Sequence, residues 1–363
     1  MIIGVPKEIK EQEYRVGLTP NSVKEYVSNG HEVYVQSRAG IGSGFKNKDY
    51  VNSGAKILKT IEEVYSIAQM IIKVKEPIKQ EYKLLKKDLI LYIYLHLAAN
   101  KKLTLQLMKK KVKAVAYETI TDINNQLPCL KPMSEIAGKL SVQEDAKYLE
   151  KPFEGRGVLL GGATGAAKGN IVIIGAGTVG SCACEIAVGL GADVTVLNPS
   201  QHKLDDLKCI YGTKIHTKLL TRESILESIK EADFVVGAVL IKGASAPKLI
   251  LRPDLKLMKK NALIVDVSID QGGCFETSKP TTHHNPIYKV NGVIHYCVAN
   301  MPGCVPITAT QALNTATLKY GLEIANKGLE QASQDNTHIK NGINVYAGKC
   351  TNQAVAKSLG ITD

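Results

Sequence analysis

IVIIGAGTVGSCACEIAVGLGADVTVLN, residues 171–198, decides how the chain folds. An apolar run of strand length leads into glycines at 175, 177 and 180. A helix-compatible stretch follows, and ADVTVLN returns as a second apolar run. Strand, Gly-x-Gly-x-x-Gly, helix and strand make the opening βαβ unit of a dinucleotide-binding sheet. Gly175 suits the tight turn, Gly177 lets a pyrophosphate approach the backbone, and Gly180 lets helix and strand pack closely. The helix start, with Thr178 and Val179 in its first turn, offers free N–H groups and partial positive charge to phosphates.

The end of the second strand in such a unit usually carries an acid, which accepts the ribose hydroxyls and repels a 2′-phosphate. Here the residue is Asn198. An amide keeps one acceptor oxygen and loses the repulsion. Ser200 and Lys203 follow, and a lysine there suits a phosphate. The expectation is an NAD site with weakened discrimination against NADP.

Outward from this unit, short apolar runs alternate with helical patterns. The first series is IIGVP, EVYVQ, MIIKVK, LILYIYLHLA and KAVAY. The second, from residue 171, is IVIIGAG, ADVTVLN, TKIHTKLL, DFVVGAVL, ALIVDVS and VIHYCVA. This alternation predicts α/β architecture with parallel sheets. In TPNSVKEYVSNG, Thr19 can cap a helix, Pro20 suits its first turn and Gly30 stops it. A helical stretch at residues 134–150 and a glycine-rich loop join the two series. After Pro306 the chain reads as mostly helical, with too few strands for a third domain, so it is expected to return to the first. The division is residues 1–130 plus 307–363, and residues 131–306.

At 363 residues the chain exceeds one ordinary domain. No apolar run reaches transmembrane length, and MIIGVPKEIK lacks the pattern of a secretory leader, so neither membrane nor export is expected. The formal charge of +12 is spread over segments such as KLLKKD and MKKKVK. With aromatics at 5% and no Trp, there is no stacking platform for single strands, and nucleic acid is not an expected partner. None of the eight cysteines has Cys-x-x-Cys spacing, which argues against a disulfide framework and a zinc site; no metal is expected.

Ligands of open α/β sheets bind beyond the carboxyl ends of strands. That rule picks out Arg15 after IIGVP, Lys75 after MIIKV, His96 after LILYIY, Asp270 after ALIVDVSI and Asn300 after VIHYCVA. Arginine suits a carboxylate clamp. Lysine can hold a carboxylate or polarise a carbonyl oxygen. Histidine moves protons near neutral pH, and aspartate can orient water or assist the transfer.

MIIGVPKEIKEQEYRVGLTP, KVKEP, LHLAA, AYETI, PMSEIAG, GAGTVG, DQGGCFETSKPTTH and YCVANMPG, in this order, resemble the L-alanine dehydrogenase family, which shares ancestry with the transhydrogenase α-subunit. The resemblance implies two Rossmann-like, doubly wound parallel-sheet domains flanking a cleft, the first for substrate and the second for NAD. It implies a cytoplasmic homo-hexamer acting in amino-acid catabolism, with L-alanine, pyruvate and ammonia as partners. By the same resemblance Arg15 and Lys75 bind the substrate carboxylate and carbonyl oxygen, His96 is the acid/base, and Asp270 is the second catalytic group. Met133 lines the substrate side. Ser134, Val179, Val239, Leu240, Val267, Asn300 and Met301 approach the cofactor. The implied reaction is reversible oxidative deamination. Two positions depart from the family: Asn198 replaces its usual acid, and Leu220 stands where relatives often have serine near the adenosine.

Two other readings compete. One is the soluble NAD-binding component of a transhydrogenase, which His96 in LHLAA and the full substrate set disfavour. The other is a non-catalytic dinucleotide-binding or nucleic-acid-binding protein, which would have no need of Arg15, Lys75, His96 and Asp270 together.

Overall fold

The computed structural model describes residues 1–239 and 246–361. Its strands are β1 (Ile2–Val5), β2 (Glu32–Gln36), β3 (Lys56–Leu58), β4 (Met70–Ile72), β5 (Ile90–Ile93), β6 (Lys113–Ala116), β7 (Asn170–Ile174), β8 (Asp193–Asn198), β9 (Ile215–Leu219), β10 (Phe234–Gly237), β11 (Leu263–Asp266), β12 (Ile287–Val290), β13 (Val293–Tyr296), β14 (Ile343–Tyr346) and β15 (Lys349–Cys350). The helices that matter below are α1 (Pro20–Ser28), α2 (Lys131–Gln143), α3 (Thr178–Gly189), α4 (Gln201–Tyr211) and α5 (Pro306–Lys327). Met1–Met133 with Gly303–Asp363 forms one compact unit, and Ser134–Pro302 forms the other. The first change of unit falls inside α2.

The first unit has an eight-stranded sheet in the order β15-β14-β6-β5-β4-β1-β2-β3. From β3 to β6 every pairing is parallel, and the chain winds outward from β1 in one direction and then from β4 in the other. The boundary between β1 and β4 is therefore the topological switch point, where loops from adjacent strands part and leave a crevice. Strands covered on both faces need apolar side chains throughout, and all four residues of β5 are buried. Helix α1 starts as its sequence directs: the Thr19 side chain accepts from Ser22 N at 3.1 Å, and Pro20 occupies the first turn. The C-terminal helix α5 joins this unit through Asn314, whose Oδ1 accepts from Thr19 N at 2.8 Å, and through Thr317 O, which accepts from Tyr92 Oη at 2.8 Å.

The second unit repeats the plan. Its seven strands run β12-β13-β11-β10-β7-β8-β9, with a switch point between β7 and β10, both parallel and almost wholly buried.

The sheets differ from the expected all-parallel form at their edges. β14 and β15 form a hairpin that adds antiparallel to β6, and β12 pairs antiparallel with β13. Both hairpins close through two residues of positive φ, Ala347-Gly348 and Asn291-Gly292, the geometry whose twist matches that of paired strands. The stretch after Pro306 is thus not purely helical. β3 is also additional. The helix expected over residues 134–150 starts earlier, at Lys131, ends at Gln143, and is followed by a separate 3-10 turn, Asp145–Leu149.

Candidate active site

In the first unit the predicted substrate residues sit beyond β1, β4 and β5, around the switch point. Arg15 is 2% exposed and is gripped by Glu13: Nε donates to Oε1 at 2.7 Å and Nη2 to Oε2 at 2.6 Å. Burial works against the guanidinium charge, but the hydrogen bonds and charge of Glu13 outweigh it and hold Arg15 protonated above its ordinary range. Nη1 donates to Met133 Sδ at 3.1 Å. A thioether is a weak acceptor, so a carboxylate would displace it readily.

Lys75, 7% exposed, lies three residues past β4. The Glu8 carboxylate fixes this turn, accepting from Val74 N at 2.7 Å and Lys75 N at 3.2 Å. Lys73, wholly buried, lies between Glu81 at 2.6 Å and Glu8 at 3.3 Å. Burial raises the pKa of Glu8, with Lys73 opposing. Glu76 forms an ion pair with Lys10 at 2.6 Å. Burial alone would raise the Glu76 carboxyl, but Lys10, Lys75 and His96 nearby bring it below its usual value. One carboxylate thus feels both Lys75 and His96.

His96 is half-buried and has φ 48°, a left-handed conformation that costs a non-glycine residue about 1–3 kcal/mol. Glu118, after β6, accepts from His96 N at 2.7 Å and from Leu95 N at 3.2 Å. The imidazole stacks on the Tyr94 ring with centroids 5.9 Å apart, and the Tyr94 hydroxyl donates to Cys129 O at 2.6 Å. Arg15, Met133, Lys75 and His96 therefore belong to one constellation of a cationic clamp, a second cation and a supported imidazole. That set can seize a small carboxylate and move a proton beside it.

In the second unit the glycine turn has the form that its sequence demands. Gly175 has φ 112°, and a Cβ there would overlap Ala238 O. A Cβ on Gly180 would overlap Gly175 O, whereas one on Gly177 would meet nothing within 4 Å. Gly175 and Gly180 are thus required by the fold, and Gly177 borders open space at the start of α3, as a phosphate cradle needs. Thr178 is exposed and Val179 half-buried in the first turn of α3. Close by, a Cβ on Gly138 of α2 would overlap Val179 O, so PMSEIAG supplies the glycine at this helix crossing.

Asn198 is 6% exposed at the end of β8. Its Oδ1 accepts from Ala176 N at 3.0 Å and its Nδ2 donates to Ser200 O at 3.2 Å. The acceptor that the sequence reading assigns to ribose is therefore already engaged: the amide ties the strand end to the glycine turn. Lys203 is exposed on α4, whose N-cap Ser200 makes no side-chain bond to the helix and whose first turn carries no acid. Leu220 N donates to Asn198 O at 3.1 Å, and beside it a depression of about 290 Å³ is lined by residues that include Leu220, Arg222, Ile225 and Leu249. Open backbone at Gly177, a neutral strand end and an adjoining apolar-sided depression fit pyrophosphate, ribose and adenine in turn.

Beyond β10, Val239 exchanges two hydrogen bonds with Ser268 Oγ, at 3.2 and 2.6 Å. Asp270 is exposed in the 3-10 turn Val267–Gln271. Asp266, wholly buried, fixes both ends of this segment: it accepts from Ser268 N at 3.1 Å, Cys274 N at 2.9 Å and Phe275 N at 3.2 Å. Val267 and Ser134 are half-buried, Met301 is buried, and Asn300 has φ 67°. Leu240 lies outside the described residues. Sequence reasoning missed Glu8 and Glu13, because acids in the polar segment KEIKEQEYR read as solvated until the fold buries them, and Glu118 and Asp266, whose place at the ends of apolar runs carries no sign of what they bind.

Two family models match the chain: the N-terminal domain of alanine dehydrogenase/PNT over residues 4–137 and the C-terminal domain over residues 141–353. The chain belongs to the alanine dehydrogenase/PNT family. The alanine dehydrogenase of Methanococcus maripaludis is 50% identical over 359 residues, covering 99% of this chain and 96% of that protein. A solved L-alanine dehydrogenase structure is 47% identical, with a TM-score of 0.95 and 99% of each chain covered. A transhydrogenase from Sinorhizobium meliloti, 22% identical with a TM-score of 0.81 over 98% of this chain and all of that one, shares the fold. Among the described residues no helix is long and apolar enough to cross a membrane.

Proposed function

We propose that this chain catalyses the reversible oxidative deamination of L-alanine, in which L-alanine, NAD⁺ and water give pyruvate, ammonium, NADH and a proton. The observation that carries the reading is the buried Arg15–Glu13 pair with Nη1 directed at the soft Met133 thioether, beside Lys75 and His96. The first unit holds the substrate: Arg15 takes its carboxylate, and Lys75 steadies the carbonyl oxygen of pyruvate. His96 accepts a proton from water as that water adds to the imine carbon, and returns one to the departing nitrogen. Asp270 orients this water. The second unit holds the cofactor through the backbone of the turn 175–180 and the residues around Asn198. A bound nicotinamide would supply the hydride acceptor; the protein supplies orientation and charge.

NAD is the cofactor, with NADP tolerated, because Asn198 sets no carboxylate against a 2′-phosphate and Lys203 stands nearby on α4. Asn198→Asp should raise the NAD/NADP ratio of kcat/KM about tenfold or more through like-charge repulsion; an unchanged ratio overturns the tolerance. The assembly is a homo-hexamer, which light scattering on the purified protein tests, and its place is the cytoplasm, which cell fractionation tests. The activity test is formation of reduced nicotinamide from L-alanine at alkaline pH; no turnover with either cofactor removes the reading.

A further inference from the structure

We propose that Glu118 is the positioning residue of His96. This rests on His96 as proton carrier. The peptide at 95–96 turns sharply: His96 has φ 48°, a region that non-glycine residues avoid. Two consecutive N–H groups, of Leu95 and His96, thereby point the same way, and both end on the one carboxylate of Glu118, at 3.2 and 2.7 Å. Backbone N–H pairs of this kind form a small anion-binding concavity, and here the anion is a side chain of the same fold. Glu118 comes from the turn after β6, the strand next to β5, so the contact links two neighbouring strand ends.

The turn decides where the imidazole lies. With residue 96 left-handed, its ring stacks on Tyr94 at an interplanar angle of 12° instead of following the strand direction. Tyr94 is itself held, by Cys129 O at its hydroxyl and by an edge contact with Tyr117 at 5.0 Å. The ring orientation therefore has a rigid floor and one adjustable support, the Glu118 carboxylate. Glu13 with Arg15 and Glu8 with the Lys75 backbone show the same device, so Arg15, Lys75 and His96 each have a supporting acid. A glutamine at 118 keeps the shape but offers a single acceptor atom and turns an N–H₂ towards donors. The turn then relaxes and the imidazole shifts.

The test compares Glu118→Gln, Glu118→Asp and His96→Gln with the unaltered full-length protein in reductive amination of pyruvate, recording thermal unfolding of each. Glu118→Gln should lower kcat by about ten- to a hundredfold, the scale of a misplacement near 1 Å. The KM for NADH and the unfolding midpoint should stay unchanged. Glu118→Asp, with the charge kept and one methylene removed, should lose less. A crystal structure of Glu118→Gln should show residue 96 out of the left-handed region. Unaltered kcat in Glu118→Gln overturns the proposal, and so does a loss of kcat that comes only with a higher KM for NADH and a lower midpoint. If Glu118→Gln does not fold, Glu118→Asp decides by the same readings, and full kcat overturns. Full turnover in His96→Gln ends the role of His96 itself, whereas an inactive His96→Gln beside an unaffected Glu118→Gln ends only the positioning role.

Discussion

Replacing Asp145 by asparagine should stabilise the protein, and increasingly so as pH rises. Asp145 is wholly buried in the 3-10 turn after α2, and neither carboxylate oxygen has a hydrogen-bond partner among the described residues. Burial pushes its carboxyl well above the usual range; the neighbouring Glu144 adds to this and Lys147 opposes it. The folded pKa is thus raised above the unfolded one. Folding must keep or take up a proton that the unfolded chain has released, so the group lowers stability once pH exceeds the unfolded value. The loss grows by about 1.4 kcal/mol per pH unit. It starts near an unfolded pKa of about 3.9 and reaches at most about 4 kcal/mol at pH 7. Asparagine is nearly isosteric and carries no such proton; its extra N–H donor adds a cost that does not vary with pH. Urea unfolding of both proteins at matched concentration, from pH 4.5 to 8, should give midpoints whose difference shifts steadily in favour of the variant towards the alkaline end. A difference that does not vary with pH would show that Asp145 stays ionised, and would refute the reasoning.

Three further outcomes follow from the same kind of physics. Gly177→Ala should leave the unfolding midpoint without cofactor unchanged, since its Cβ meets open space, yet weaken NAD binding in titration calorimetry by about tenfold or more; Gly180→Ala should destabilise the fold itself through its overlap with Gly175 O. His295 is buried between Thr277 Oγ1 at 2.7 Å and Val293 O at 3.0 Å, and burial lowers its pKa to about 4. Its neutral form is the native one, so stability should fall as pH drops from about 6.5 towards 4, and His295→Gln should flatten that limb in acid unfolding. Arg15→Ala should cost about 3–5 kcal/mol by stranding Glu13, and Arg15→Ala with Glu13→Ala should recover part of this in denaturant unfolding while pyruvate reduction stays lost.

The two sheets were legible because parallel strands buried on both faces must be continuous apolar runs, as at residues 90–93 and 263–265. Their edges were not. β14 lies within a short mixed stretch between helices, and its turn uses Ala347 at positive φ, which no residue preference announces. The β12–β13 hairpin did carry a signal, Asn291-Gly292, and the apolar-run reading passed over it. At the site, Arg15, Lys75 and His96 could be named because they follow strands. Their buried acids could not, since Glu8 and Glu13 sit in KEIKEQEYR, a run indistinguishable from a solvated loop until the switch point closes over it. Asn198 shows a further limit: its type was informative, but its bond to Ala176 depends on how near β8 comes to the glycine turn.

The most direct measurement follows a label. L-alanine deuterated at Cα, incubated with the purified protein and NAD, should give NADH carrying deuterium at C4 of the nicotinamide, seen by NMR, with pyruvate in equal amount. Reduced cofactor without deuterium, or none formed at any alkaline pH with NAD or NADP, would contradict hydride transfer from L-alanine.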